Sequence, residues 1–391
     1  MSKLPIYLDY AAATPIDERV RDTMEPYLSD KFYNPSATYL VAKSISKDLN
    51  EARANIARCL GVRSSEIIFT AGGTEANNLA IQGIMHIFPD ANMIVSAIEH
   101  ESVLSPASQF KSKAAPVDKQ GIIDVQSLEK LINDHTVLVS VMYANNEVGS
   151  IQPISKIAQV IDDVRKKRRK TGNSLPIYLH TDACQAANYL DLHTARLGVD
   201  LMTLNGGKIY GPKQSGVLFI KSGTRISPLI FGGGQERGLR SGTENVAASI
   251  GFSLALNIAQ ENRYDEGKRM QALQQYFLEQ LENKLPTVIV NGSLKKRLPN
   301  NVHITISETD NERLLIRLDE AGILAAAGSA CSASSEEPSH VLRAMGVNDK
   351  AAQASLRFSM GRYTSKADID KAVFNLVGII ESETNLGVNN V

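Results

Sequence analysis

The chain has 391 residues, enough for two or three domains, and 43% hydrophobic against 21% charged residues is ordinary for a globular protein. Lys plus Arg and Asp plus Glu each number 42, so the overall charge favours neither nucleic acid nor an anionic membrane. There is no apolar run of signal-peptide character or of the ~18–20 residues that span a bilayer, and Cys59, Cys184 and Cys331 form no Cys-x-x-Cys pair. These features argue against a metal site and a disulfide framework, and the expected compartment is the reducing cytoplasm.

In chain order, EIIF (66–69), NMIVSAI (92–98), TVLVSVMY (136–143), LPIYLH (175–180) and DLMTLN (200–205) read as strands. TEANNLAIQGIMH (74–86), VQSLEKLIN (125–133) and ISKIAQVIDDVRK (154–166) read as helices between them. That alternation predicts a mostly parallel sheet wrapped by helices. A Gly-rich polar stretch, PLIFGGGQERGLRSGTEN, breaks the pattern before a long helix over about 244–284. The expected division is a large domain, 16–260, and a smaller α+β domain made of 1–15 and 261–391. The basic run RKKRRK (165–170) reads as a solvated helix end whose cations complement the helix dipole.

Open parallel sheets bind ligands outside the carboxyl ends of their strands. Five such ends here carry reactive or small residues: Ala-Gly72-Gly73-Thr74, Glu99-His100, Asn145-Asn146-Glu147, Thr181-Asp182 and Gly-Gly-Lys208. Gly73 and Thr74 open a helix whose bare N–H groups can close on an anion, although Thr74 followed by Glu75 also suits a plain N-cap. His100 is either an acid/base group or a structural histidine, and Asp182 either neutralises a ring cation or caps a turn. His86, His135, His180, His193, His303 and His340 read as structural.

The stretch LNGGKIYGPK (204–213) raises the sharper question. A phosphate-binding loop needs glycine and Ser or Thr where Met202 and Ile209 stand, so that reading fails. Lys208 on a glycine hinge, facing an anion cradle and an aspartate, suits a pyridoxal phosphate Schiff base. Lys213 reads as a surface charge. Cys331 lies in ILAAAGSACSASSEEPSH, small residues that offer little anchorage, and is expected to be an exposed, reactive thiol. Cys59 and Cys184 read as packed fillers, Cys184 with some scope for redox sensitivity.

Taken together, YLDYAAATP, NPSA, TAGGTEANNLAIQG, EHESVL, NNEVG, HTDACQA, KIYGPK, GGGQERGLRSGTEN, GSACSAS and SLRFSMGR follow in the order seen in one family. The whole chain resembles the cysteine desulfurases of the NifS/IscS type, fold-type I pyridoxal phosphate enzymes with a mostly parallel seven-stranded sheet. The resemblance implies that Lys208 holds the cofactor, Asp182 pairs with its ring nitrogen, Gln185 meets its ring hydroxyl, and His100 stacks on the ring and assists proton transfer. It implies phosphate contacts from Gly73, Thr74 and Asn205, joined by Thr243 of a second subunit in a homodimer. Asn34, Asn146 and Arg357 would hold L-cysteine, with Arg357 on its carboxylate, and Asn146 would also border the cofactor. Cys331 would take the sulfur as a persulfide and alanine would leave. The onward acceptor would be an iron–sulfur scaffold or a tRNA-thiolation enzyme, with no membrane and no direct nucleic-acid binding expected. Selenocysteine lyase, another β-eliminating enzyme and a degenerate non-catalytic scaffold are the rival readings. The chain departs from the family's Ser-x-His-Lys pattern, with Asn205 and Gly207 in the first and third places. Weakened phosphate binding, and tighter cofactor retention in Gly207→His, are the expected consequences.

Overall fold

The structure, a computed structural model, describes residues 5–328 and 338–388, with side chains through residue 382. The strands among these are β1 (Ile6–Tyr7), β2 (Ile67–Thr70), β3 (Asn92–Ser96), β4 (Ser112–Ala115), β5 (Thr136–Ser140) and β6 (Tyr178–Asp182). They continue with β7 (Leu201–Asn205), β8 (Gly216–Ile220), β9 (Ile289–Val290), β10 (Asn301–Thr305), β11 (Ile323–Leu324) and β12 (Ser355–Ser359). Seven of them form one sheet in the order β2-β8-β7-β6-β5-β3-β4. All neighbours are parallel except β8, which runs against both β7 and β2.

This sheet is buried on both faces, which is why its strands read as continuous apolar runs rather than as an alternation. Ile67, Phe69, Val139, Leu179, Met202, Val217 and Phe219 enter one core with helices Leu40–Leu60 and Ile154–Thr171. Ile68, Val137, Leu201 and Leu218 point the other way, onto helix Gly73–Met85.

A separate core gathers β10, β12, helix Asn311–Glu320 and the C-terminal helix. The three strands β12-β10-β9 are antiparallel there. β1 pairs in parallel with β11, so the chain's first described strand lies beside its later segments. Helix Val246–Lys284 runs unbroken between the cores: Phe252, Leu256 and Ala259 pack in the large one, Met270, Leu273 and Phe277 in the small one.

Two strand boundaries differ from the sequence reading for identifiable reasons. The run expected at 175–180 becomes strand only from Tyr178, because the carbonyls of Leu175, Pro176 and Ile177 accept from Arg168 and Arg165 instead of a neighbouring strand. The strand expected to reach residue 143 ends at Ser140, and the Met142 N–H is taken at 2.6 Å by the buried carboxyl group of Glu99. The basic run is also corrected. It forms the last turns of helix Ile154–Thr171, but Arg168 is only 4% exposed and donates to the carbonyls of Asn133, Thr136, Leu175 and Pro176.

Candidate active site

The carboxyl ends of the large sheet frame a cleft whose empty space, open mouth included, is roughly 600 Å³. Gly73, Thr74, His100, Asn146, Asp182, Gln185, Asn205, Lys208 and Arg357, all expected site residues, line it. They come from six separate stretches of chain: five follow strands of the large sheet, whose ends meet at one edge, and Arg357 comes from β12 of the small antiparallel sheet.

Lys208 ends a short helical turn, Gly206–Lys208, that Asn205 caps by accepting the Gly207 N–H at 2.9 Å. Its ammonium donates to the carbonyls of Ala11 at 2.8 Å and Ala12 at 2.5 Å. The Lys208 carbonyl accepts from Asn188, which fixes the backbone on the other side.

Asp182, the last residue of β6, is 7% exposed. One carboxylate oxygen accepts the Cys184 N–H at 2.9 Å and the other accepts from Asn77 at 2.7 Å. Asn77 also donates to Ser102 at 2.8 Å, and Ser102 bonds His100 Nδ1 at 2.8 Å. His100 Nδ1 accepts the Ser102 N–H as well, at 3.0 Å, which puts the ring proton on Nε2. Asp182, Asn77, Ser102 and His100 therefore form one hydrogen-bonded chain along the cleft.

The anion cradle is backbone. Gly72 precedes helix Gly73–Met85 with no side-chain cap, so Thr74 sits within the first turn rather than acting as the N-cap the sequence allowed. Gly72 has φ +149°, where L side chains rarely go, and a Cβ on Gly216 would lie 2.6 Å from its carbonyl carbon. A Cβ on Gly73 would come within 2.9 Å of the Cys184 sulfur. The cradle is thus a concavity that side chains would fill, aimed at by the positive end of a 13-residue helix.

Arg357, from β12, forms the far wall and is 1% exposed. Its terminal nitrogens donate to Asp9 at 2.6 Å and to the Asn146 carbonyl at 3.0 Å, while buried Nε has no partner among the described residues. Asn145 shapes the turn beside it by accepting from the N–H groups of Glu147 and Val148. That turn leaves Asn146 facing the cleft.

Within one chain the structure does not bring Asn34 or Thr243 to the cleft. Asn34 lies on an exposed loop and caps its own turn by accepting the Ser36 N–H at 2.9 Å. Thr243 is exposed on a loop pinned by two ion pairs, Arg53–Glu236 at 2.6 Å and Arg240–Glu75 at 2.9 Å. Cys331 lies outside the described residues, but both flanks of its segment are held at the site. Ala326 pairs through its backbone with Arg357, Ser339 donates to Glu147 at 2.6 Å, and the His340 ring bonds the Glu99 carbonyl at 2.9 Å.

Sequence reasoning passed over Asn77, Ser102 and Asp9. Asn77 stands four residues after Gly73, on the same helix face, and that spacing was the available signal. Cys184 also lines the cleft, but burial, reinforced by the nearby Asp182 charge, pushes its thiol well above the ordinary range and keeps it protonated. Burial likewise raises the Glu99 carboxyl and favours its neutral acid form. His180, fully buried between Ser140 and Thr203, is pushed down to about 4, in keeping with a structural role.

Residues 6–372 match the model of the class-V aminotransferase family. The chain belongs to that family. It is 40% identical over 386 residues to a cysteine desulfurase IscS of Dictyoglomus turgidum, covering 97% of this chain and 95% of that one. A solved NifS-like protein superposes with a TM-score of 0.88 at 32% identity, covering 97% of this chain and 100% of its own. A NifS-like protein from Rickettsia africae gives 0.86 at 33% identity, over 96% and 99%. The α/β architecture expected from sequence agrees with these neighbours. No helix among the described residues is long and apolar enough to cross a membrane.

Proposed function

We propose that this chain is a pyridoxal-phosphate-dependent cysteine desulfurase. In this reading it moves the sulfur of L-cysteine onto Cys331 as a persulfide and releases L-alanine. The observation that carries the reading is the single cleft joining a lysine held by two carbonyls, a buried aspartate, a bare helix start and a buried arginine.

The residues fit the cofactor. Lys208 would bind it covalently, Asp182 would face its ring nitrogen, and the Gly73–Thr74 backbone with Asn205 would take its phosphate. Gln185, already donating to the Ala11 carbonyl at 3.0 Å, would meet the ring hydroxyl. When bound, pyridoxal phosphate supplies an electron sink next to the substrate's α-carbon. His100 holds its exchangeable proton on Nε2, and the chain through Ser102 and Asn77 keeps that ring in register with Asp182. Arg357 keeps a second N–H on each terminal nitrogen after its bonds to Asp9 and Asn146, and these suit a substrate carboxylate. Cys331 then forms an S–S bond to the substrate sulfur as the Cβ–S bond breaks, and the carbon gains a proton.

Further parts of the reading concern assembly. The protein works in the cytoplasm as a homodimer, Thr243 and Asn34 serve the neighbouring subunit's site, and the sulfur passes to an acceptor of iron–sulfur assembly or tRNA thiolation. Exposed Leu28, Phe32, Leu40 and Phe231 support a subunit interface near those loops. The division into 16–260 and 1–15 with 261–391 is supported by the two cores and by the pairing of β1 with β11.

The test is the visible absorption of purified protein before and after L-cysteine, with alanine and sulfide measured. Cys331→Ser should keep the spectrum and its response while losing both products, and Lys208→Ala should lose borohydride-trappable cofactor. Full activity in Cys331→Ser, or trapping at Lys213, would overturn the assignments.

A further inference from the structure

Lys213 is exposed, as its sequence position suggested, but it is not detached. Its ammonium donates to the Thr14 carbonyl. Thr14 in turn grips Gly207, through its N–H at 3.0 Å and its hydroxyl at 3.1 Å, both on the Gly207 carbonyl. The Lys213 stem lies beside Gly207, where an added Cβ would sit 3.6 Å from Cδ and 4.0 Å from Cγ. With Gly72, Gly73, Thr74 and Asn205 it lines a recess that adjoins the cofactor cleft across Lys208.

The charge in that recess is unbalanced. Glu75 is engaged by Arg240 at 2.9 Å and by the Ala71 N–H at 3.1 Å. Among the described residues no carboxylate forms an ion pair with Lys213, and partial burial of the ammonium on this otherwise exposed side chain pushes its pKa down. A cation without a counter-ion, on a flexible stem beside a helix start of bare N–H groups, is arranged for an anion.

We propose that Lys213 is the cation that binds the cofactor phosphate, and that its stem uses the space left by glycine at position 207. The proposal rests on the cofactor assignment above. It also changes the expectation for Gly207→His, which should add little while Lys213 is present.

The test compares binding of pyridoxal phosphate and of phosphate-free pyridoxal to the apo-protein, read by absorbance and fluorescence. Lys213→Gln should weaken pyridoxal phosphate binding about 10- to 100-fold, the worth of one hydrogen bond to a charged group, and leave pyridoxal unchanged. Lys213→Arg should restore most of the loss, and Gly207→His should rescue Lys213→Gln more than it improves the wild type. In the wild type, acylation footprinting should show Lys213 protected by pyridoxal phosphate and not by pyridoxal, a readout independent of any variant. Equal weakening for both ligands, no weakening, or equal protection by both would overturn the proposal. Wild-type protein that binds neither ligand would overturn the functional reading as well.

Discussion

The two edges of the large sheet use their buried polar groups to different degrees for holding the backbone. At the amino edge, where β5, β6 and β7 begin, Arg168 donates to four carbonyls and only its Nε lacks a partner. Arg165 bonds the Ile177 carbonyl and the Asp200 carboxylate, and Asp200 also accepts the Leu179 N–H at 2.9 Å. At the carboxyl edge, Asn77 Oδ1 and Glu99 Oε2 are buried with no hydrogen-bond partner among the described residues, and Arg357 Nε is unpaired among them just as Arg168 Nε is. A satisfied buried charge ties strand ends together. An unsatisfied one costs roughly 1–3 kcal/mol and persists where other demands, such as a ligand, maintain it. The amino edge is built for stability, and in the proposed reading the carboxyl edge is where the chemistry takes place.

Four experiments break or sharpen that contrast. The largest effect is expected from Asp182→Asn. In the proposed reading it removes a charge pair with the cofactor's ring nitrogen, worth about 4 kcal/mol at ~4 Å before desolvation, so alanine production should fall by about a thousandfold while the melting temperature barely moves. A large loss of stability with activity retained would place Asp182 with the structural charges.

Arg168→Met should do the reverse. Four carbonyls lose a cationic donor, and about 3 kcal/mol of unfolding free energy should be lost in denaturant titrations, with activity per folded molecule unchanged. Changed kinetics at full folding would break the division between the edges.

Acid should act next. Burial pushes His180 down to about 4 and His303 to about 3, below the ordinary 6.5. As pH falls the unfolded chain binds these protons first, so stability is complete above about pH 6.5 and declines towards about 4 and about 3. At pH 5 each histidine should cost at most roughly 2 kcal/mol. His180→Asn with His303→Asn should flatten the dependence of the unfolding midpoint on pH between 7.5 and 5. An unchanged slope would mean that carboxylates dominate.

The smallest effect concerns the thiols. Burial raises Cys59 to about 11 and Cys184 well above its ordinary range. Iodoacetamide at neutral pH should label Cys331 first, with peptide mapping finding the other two nearly unmodified. Rapid labelling of Cys184 would make the cleft floor reactive.

Much of this was legible in the residues themselves. Short β-branched runs alternating with amphipathic ones imply a wrapped parallel sheet, because a strand buried on both faces has no other composition open to it. Strand-end placement then marks Gly73, His100, Asn146, Asp182 and Lys208 without further information. Local patterns also announce helix Gly73–Met85 and the long helix Val246–Lys284 to within about a turn.

Other features depend on distant parts of the chain and could not be read locally. Lys208 is held by Ala11 and Ala12, nearly two hundred residues away, and Arg357 by Asp9 from still further. Whether a basic residue is solvated or buried depends on which carbonyls the fold places beside it, so Arg168 and its neighbours in one charge run meet different fates. The same holds for LNGGKIYGPK. Sequence identifies the lysine on the hinge, but only the fold brings Thr14 to the Lys213 ammonium and lays the exposed stem beside Gly207. Periodicity reports burial of an element as a whole, whereas hydrogen-bond partners at the site come from contacts that close long loops.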